Sequence, residues 1–195
     1  MTSSGVLLYG PPGSGKDTIT HELTRLRPEF ALFQRLKAGP GRTTGYRLTT
    51  SDRIEELSRA GELLYRNARY DAEYAIDHQG VAALVDDGRI PVLHMGQVVG
   101  AGAVSVFPLR WVRVLLWCPL AITESRSTDR ADKDIEARVE VWHETREDLL
   151  AHETEPWTLT LRTDQLSPTE SANAIIDALD ASVSAESRNI RELVG

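Results

Sequence analysis

Apolar and polar residues follow one another in blocks that predict short buried strands separated by helices. Five apolar runs predict strands, at residues 5–9, 30–36, 90–95, 111–117 and 157–163. The run WVRVLLW at 111–117 is the most apolar, so we expect this strand near the middle of a sheet. Residues 37–47, KAGPGRTTGYR, are rich in glycine and threonine and predict a loop, whereas residues 62–70 predict an extended segment.

The segments between these strands have the features of helices. The first helix begins near Lys16 and stops before Pro28, because proline cannot continue a helix. Further helices are predicted at residues 50–61, 77–88, 119–127, 135–152 and 167–180. The last of them begins with a capping box formed by Ser167 and Glu170. Strands that alternate with helices form βαβ units, so the pattern predicts an α/β fold with a parallel sheet covered on both faces.

Composition limits the partners and the compartment that we expect. The 195 residues carry a formal net charge of −7, and the pI is near 5.3, so a general nucleic-acid-binding face is not expected. Cys118 is the single cysteine, which excludes an internal disulfide and fits a reducing cytoplasm. No apolar run approaches the roughly 18 residues that cross a bilayer, so no membrane partner is expected. We therefore expect one cytoplasmic domain.

The stretch LLYGPPGSGKDTIT at residues 7–20 carries the clearest chemical signal in the chain. It contains the pattern G-x-x-x-x-G-K, after a predicted strand and at the start of a predicted helix. Glycines in this pattern let backbone N–H groups curl around phosphates, and the lysine supplies a charge for the β- and γ-phosphates. The expected nucleotide-binding residues are Gly10, Pro12, Gly13, Ser14, Gly15, Lys16, Asp17 and Thr18. The fold class that follows is a P-loop NTPase: three α/β/α layers around a five-stranded parallel core sheet.

Asp17 is unusual, because this loop commonly carries serine or threonine after the lysine. The hydroxyl of Thr18, one residue later, can contact phosphate or metal-bound water. Asp17 can serve Mg²⁺ through water, since Mg²⁺ favours carboxylate and water oxygens. It can equally be an acid in the first helical turn that suits the helix dipole. Both interpretations stay open, and Asp17 and Thr18 are the candidate metal residues.

Three further segments resemble the guanylate kinase family, within the wider class of nucleoside monophosphate kinases. They are AGELL at 60–64, RYDAEYAIDHQGVAALVDDGRIPVL at 69–93 and SRSTDRADKDIEARV at 125–139. With GPPGSGKDT at 10–18, the resemblance extends to about Leu150, some three quarters of the chain. Their order and spacing carry the resemblance more than any one segment.

The resemblance implies a core with ATP and Mg²⁺, an arm that holds a phosphorylated acceptor, and a lid with arginines. The implied division is a core at residues 1–33, 77–125 and 154–195, an arm at about 34–76 and a lid at about 126–138. The residues implied to hold the acceptor phosphate are Arg35, Lys37, Arg42, Tyr46 and Tyr74. The implied lid arginines are Arg126 and Arg138, with Arg130 as a further catalytic candidate beside Lys16, and Arg162 follows the strand near which related kinases place adenine.

Polar residues at the end of the strand at 90–95 extend the acceptor site. His94 and Gln97 lie where the carboxyl ends of parallel strands bind ligands, so we expect them to contact the acceptor. The family's guanine-reading acids are missing here: GPGRTTGY has no acid, Tyr65 stands after GELL, and LHMGQVVG has none. Guanine N–H groups buried without acceptors cost roughly 1–3 kcal/mol each, so GMP is not the expected acceptor.

A branch of the family that phosphorylates ribose 1,5-bisphosphate also lacks those acids, which makes a sugar phosphate a candidate acceptor. The expected function is therefore ATP-dependent phosphoryl transfer to a small phosphorylated acceptor, nucleotide-like or sugar phosphate. Two other classes stay open: a P-loop NTPase switch, and a catalytically silent guanylate-kinase-like interaction module. The sequence leaves the oligomeric state open, and a homodimer is one of the alternatives.

Overall fold

The computed structural model describes residues 3–41, 43–69, 71–129, 135–186 and 189–195. The strands are β1 (Ser4–Tyr9), β2 (Phe30–Leu32), β3 (Leu36–Ala38), β4 (Arg47–Leu48), β5 (Leu63–Arg69), β6 (Ala72–Asp77), β7 (Ile90–Met95), β8 (Arg110–Trp117) and β9 (Leu159–Arg162). The helices are α1 (Lys16–Leu26), α2 (Ser51–Arg59), α3 (His78–Asp86), α4 (Val98–Val104), α5 (Leu120–Asp129), α6 (Ile135–Ala151), α7 (Pro168–Asp180) and α8 (Ile190–Val194). Within these ranges no helix combines the length and the apolar character that crossing a bilayer demands.

A five-stranded parallel sheet in the order β2-β7-β1-β8-β9 forms the centre of the molecule. The predicted α/β fold with a five-stranded parallel core sheet is confirmed. β1 occupies the middle, where Val6 lies opposite Val92 on one side and Val112 on the other. β8, the most apolar strand, is its inner neighbour rather than the centre itself. Continuous apolar sequence suits both strands because helices cover both faces of the sheet.

Successive side chains along the core strands point to opposite faces of the sheet, where they belong to two separate apolar cores. Leu7 and Tyr9 face the layer that contains Trp142 of α6 and Trp157. Val6 and Leu8, on the opposite face of β1, pack with residues of α1 and α7. The second core unites Val6, Leu8, Ile19, Leu23, Val114, Leu116 and Ile175. Each such side chain stabilises the fold by roughly 1.5–3 kcal/mol when fully buried. The two cores hold the carboxyl end of β1 rigidly, which matters because the phosphate loop begins there.

A smaller four-stranded sheet, in the order β4-β3-β6-β5, projects from the core sheet. It corrects two predictions. The strand expected at 30–36 ends at Leu32, and the loop expected at 37–47 contains β3 and β4. β3 pairs with β6 in antiparallel fashion, with Lys37 opposite Tyr74, so its stability comes from a partner distant in sequence. Short polar strands of this kind give no periodic signal.

Helix α4 was not expected from the sequence. Its residues, VVGAGAV, are small, and two glycines within seven residues weaken a helical prediction. The small side chains have a packing role, because a Cβ atom at Gly100 would lie 2.8 Å from atoms of Met95 and Tyr65. The predicted capping box at the start of α7 is present in full.

The four-stranded sheet is anchored to the core through Asp77, whose side chain is only 8% exposed. Its carboxylate accepts a hydrogen bond from the backbone N–H of Gly80 at 2.9 Å and thereby caps α3. The same carboxylate pairs with Arg47 of β4, with Nη1 and Oδ2 3.2 Å apart. The Arg47 guanidinium also lies over the ring of Phe33, 5.1 Å from its centroid. One acid therefore fixes both a core helix and an edge of the smaller sheet.

We expect Asp77→Ala to lower the free energy of unfolding by about 2–3 kcal/mol, because it removes a helix cap and the carboxylate partner of Arg47. Asp77→Asn keeps a capping oxygen and should lose about half as much. Chemical denaturation measures both. Asp87→Ala, at an exposed position past the end of the same helix, is the control and should change stability by only a few tenths of a kcal/mol. Equal losses for Asp77→Ala and Asp87→Ala would contradict this role.

Candidate active site

The phosphate loop connects β1 directly to α1. Gly13 and Gly15 have φ angles of 75° and 87°, in the left-handed region where glycine avoids steric strain. A Cβ atom at Gly10 would lie 2.1 Å from the carbonyl oxygen of Leu116, so only glycine fits between the loop and β8. The loop therefore needs glycine at three positions for backbone reasons, as expected of a phosphate-binding turn before a helix N-terminus.

Lys16 closes this loop on itself. Its Nζ donates hydrogen bonds to the carbonyl oxygens of Gly10 at 2.5 Å and Pro11 at 2.9 Å, and lies 3.4 Å from Ser14 Oγ. Burial lowers the pKa of Lys16 to about 8, while the neighbouring Asp17 carboxylate acts in the opposite direction. The ammonium group thus lies where a triphosphate would be held, and an anion there would favour its charged form.

His94, at the end of β7, contacts the first turn of α1. Its Nε2 lies 2.8 Å from Thr20 Oγ1, and its Nδ1 lies 3.7 Å from Asp17 Oδ1. Burial, followed by the charge of Lys16, lowers the pKa of His94 to about 4, so the ring is neutral at physiological pH. The strand end thus presents a neutral imidazole beside the phosphate loop.

Besides Lys16 of the phosphate loop, the smaller sheet contributes positively charged side chains to this region. The Arg35 guanidinium lies over the rings of Tyr46 and Tyr74, at 5.8 and 5.1 Å from their centroids. The two tyrosine rings pack against each other, with their centroids 5.4 Å apart. Lys37, 1% exposed, has its ammonium 5.9 Å from the centroid of the Tyr74 ring and donates to the carbonyls of Gly39 and Pro40. Four of the five residues predicted to hold the acceptor phosphate are therefore neighbours, although Lys37 is satisfied by the backbone.

Two cavities flank the phosphate loop. The first, about 260 Å³, separates the loop from the smaller sheet and is lined by residues that include Lys16, Asp17, Arg35, Tyr46, Arg69 and His94. The second, about 310 Å³, lies on the other side of the loop and is lined by residues that include Gly13, Thr18, Arg126, Thr163 and Leu166. A third cavity of about 390 Å³ shares Arg69 with the first and continues past Gln97 towards Glu144 and Asp148. The loop therefore has a separate recess on each side.

The predicted lid arginines differ in their surroundings. Arg126 donates to the carbonyl oxygen of Gly13 at 2.7 Å and to that of Thr163 at 2.6 Å, so it connects α5 to the phosphate loop and to the end of β9. Arg138 lies on α6, half-buried, and its charge helps to lower the pKa of Lys16. Arg42 and Arg130 lie outside the described residues.

The remaining predicted contacts have protein partners here. Arg162 pairs with Asp164 through two bonds of 2.9 Å, and this hydrogen-bonded carboxylate raises the pKa of Arg162. Gln97 accepts a hydrogen bond from the Tyr65 hydroxyl. The Arg162 pair lies at the end of β9 and the Gln97 pair at the start of α4, so both are at carboxyl ends of core strands, where α/β proteins bind ligands.

Two residues of this region were not predicted from the sequence. Thr20 is 4% exposed and lies two residues after Thr18, and only its contact with His94 connects it to the site. Arg69 lines two cavities and pairs with Glu144 of α6. An arginine within the extended segment at 62–70 was the only available signal for it.

Divalent-cation ligands are sparse in the described part of the chain. It contains no group of three or more His, Cys, Asp or Glu side chains arranged to hold a metal ion. Asp17, with its side chain 83% exposed, is the carboxylate that lines the first cavity beside Lys16. One carboxylate with water suits Mg²⁺, which is usually bound by one or two carboxylates together with substrate phosphates.

No family model matches the chain, and no curated protein matches its sequence. The solved structure of a guanylate kinase from Anaplasma phagocytophilum is similar at a TM-score of 0.64, with 14% identity over 97% of this chain and 89% of that one. A sugar kinase from Janibacter sp. HTCC2649 is similar at a TM-score of 0.56, with 20% identity over 93% of this chain and 99% of that one. The chain therefore has the fold of the P-loop kinases.

The buried imidazole of His94 predicts a pH dependence of stability. Its pKa falls from 6.5 to about 4 on folding, so the unfolded chain binds more protons between these values, and stability is lost as the pH falls through them. We expect the free energy of unfolding of the wild type to fall by about 2–3 kcal/mol more than that of His94→Gln over this range. Denaturation in urea at several pH values measures the difference.

Thr20→Val is the matched control for this measurement. It removes the hydroxyl partner but keeps the imidazole buried, and burial is the main cause of the lowered pKa. Its pH dependence should therefore follow that of the wild type. Identical pH profiles for the wild type and His94→Gln would show that His94 does not titrate in this way.

Proposed function

We propose that this chain is an ATP-dependent phosphotransferase that acts on a small phosphorylated acceptor. The observation that carries the proposal is that cationic side chains from two parts of the fold line one cavity. Lys16 of the phosphate loop and Arg35 of the smaller sheet both line the first cavity. Phosphoryl transfer between two anions needs such a pair, because donor and acceptor phosphates repel one another unless cations hold them together.

The second cavity suits the nucleoside of the donor. It lies beyond Gly13 and Gly15, and its walls include Arg126, Thr163 and the apolar side chain of Leu166. A triphosphate that starts there and follows the loop would end at Lys16, at the border with the first cavity. Its terminal group would then face the acceptor. Asp17 and Thr18 are the residues that would hold Mg²⁺, which supplies charge neutralisation between the β- and γ-phosphates.

The residues of the chain have distinct tasks in this scheme. Lys16 moves from the loop carbonyls to phosphate oxygens and holds the charge that develops during transfer. Arg35, with its fork over two tyrosine rings, orients the acceptor phosphate. Arg138, carried by α6, adds positive charge near Lys16. Closure of residues about 126–138 would exclude water and so limit idle hydrolysis of ATP.

The acceptor is better described as a phosphorylated sugar or similar ester than as GMP. The end of β7 presents His94, Met95 and Gly96 to the first cavity, and Tyr65 is bonded to Gln97 nearby. None of these five residues supplies a carboxylate for guanine N–H groups. One protein of similar fold is a sugar kinase and another a guanylate kinase, so the fold accommodates either class.

The test is ADP release measured with ATP and Mg²⁺ against a panel of nucleoside monophosphates and sugar phosphates. We expect release that depends on one acceptor class, with GMP poor. Lys16→Ala should lower this rate at least about 100-fold, because it removes charge from the transferring group. Hydrolysis independent of every acceptor would instead indicate an NTPase switch. Absence of nucleotide binding would indicate a silent interaction module.

Arg35→Met is expected to raise the KM for the acceptor roughly 10- to 100-fold while the KM for ATP changes little, because a charge-assisted contact to the acceptor phosphate is lost. Initial-rate kinetics with each substrate varied in turn measures both constants. Arg59→Met, at an exposed position of α2, is the control and should leave both KM values unchanged. A rise in both KM values for Arg35→Met would contradict a specific role at the acceptor.

A further inference from the structure

We propose that His94 Nδ1 and the Asp17 carboxylate together form a divalent-cation site with one nitrogen ligand. The site favours first-row transition ions such as Mn²⁺ and Co²⁺ over Mg²⁺ more strongly than an all-oxygen site would. The inference rests on the proposed function in one respect, which is that triphosphate oxygens complete the coordination. It assigns His94 a role at the nucleotide's metal ion instead of at the acceptor.

Hydrogen bonding fixes which ring nitrogen carries the proton. The hydroxyl of Thr20 donates its single proton to the carbonyl oxygen of Lys16, at 2.8 Å. Thr20 Oγ1 therefore accepts from His94 Nε2, which lies 2.8 Å away and must carry a hydrogen. In the neutral ring the other nitrogen, Nδ1, then has a free lone pair.

That lone pair lies near a second acceptor. His94 Nδ1 and Asp17 Oδ1 are 3.7 Å apart, and two acceptors at this distance share no proton. Two ligand atoms that each lie about 2.1 Å from one ion are about 3.0 Å apart at a ligand–metal–ligand angle of about 90° and about 3.6 Å apart at about 120°. The observed separation therefore fits a cation bound between them. Both residues line the first cavity together with Lys16, so triphosphate oxygens would reach the same ion.

The sequence around His94 explains why an imidazole takes this place. β7 ends in His94 and Met95 and is followed by Gly96, so this strand end has no carboxylate to offer. Asp17 is then the one acid lining this cavity in the described part of the chain, and a nitrogen ligand compensates for the missing oxygen. Mg²⁺ prefers oxygen ligands, whereas imidazole strengthens binding of transition ions along the series from Mn²⁺ to Co²⁺.

Pulsed electron paramagnetic resonance of Mn²⁺ bound with the methylene analogue AMP-PCP tests the site without catalysis. We expect modulation from a directly coordinated ¹⁴N nucleus in the wild type, and its loss in His94→Asn, whose amide coordinates through oxygen. His21→Asn, at an exposed position of α1, is the control and should keep the signal. Circular dichroism checks that each variant is folded.

Metal affinity supplies the second measurement. The ratio of the Mg²⁺ to the Co²⁺ dissociation constant, each measured with AMP-PCP bound, should fall about tenfold or more from wild type to His94→Asn. An unchanged ratio, or a wild-type Mn²⁺ complex without nitrogen modulation, would overturn the inference while AMP-PCP binding and kinase activity persist. If AMP-PCP fails to bind with or without metal, the proposed function fails, and this inference with it.

Discussion

The abrupt change of direction between β1 and α1 is the constraint on which the site depends. The chain leaves the most buried strand of the sheet and enters a helix within six residues, so the backbone must take left-handed angles at Gly13 and Gly15. Neighbours hold the loop in this shape, because Thr123, fully buried, donates to the carbonyl oxygen of Pro12 at 2.8 Å. Contacts within the protein thus hold the loop in this shape, and such contacts lower the cost of ordering it around a ligand.

The location of this loop also explains how one cleft gathers groups from distant parts of the sequence. Parallel strands place their carboxyl ends at the same edge of the sheet, so Lys16 after β1 and His94 at the end of β7 become neighbours. The smaller sheet adds Arg35 from the opposite side. An inserted sheet can vary its cationic residues without disturbing the core, so one fold can carry different sites.

The parts of this structure that could be predicted are those encoded locally. β1, β7 and β8 are mainly apolar runs, and the glycines before Lys16 follow from the backbone angles that the turn needs. β3 and β4 were not predictable, because such short segments become strands only through pairing, β3 with β6 and β4 with β3.

Contacts within the site were harder to predict than the elements that carry them. Thr20 and His94 are 74 residues apart in the chain and meet only because β7 lies beside β1. Arg126 was expected on a moving lid, and whether it moves remains a prediction. Its hydrogen bonds go to the backbone of Gly13 and Thr163, and backbone partners leave no trace in a pattern of side chains.

The hydrogen bonds that Lys16 makes within its own loop affect which anions can bind there. Two carbonyl oxygens accept hydrogen bonds from its ammonium, so the charge of Lys16 is partly balanced within the loop. An anion that binds to Lys16 would compete with those carbonyls. A polyphosphate carries several negative charges along one chain and can displace both. These hydrogen bonds of Lys16 would thus favour anions that carry several charges over anions that carry one.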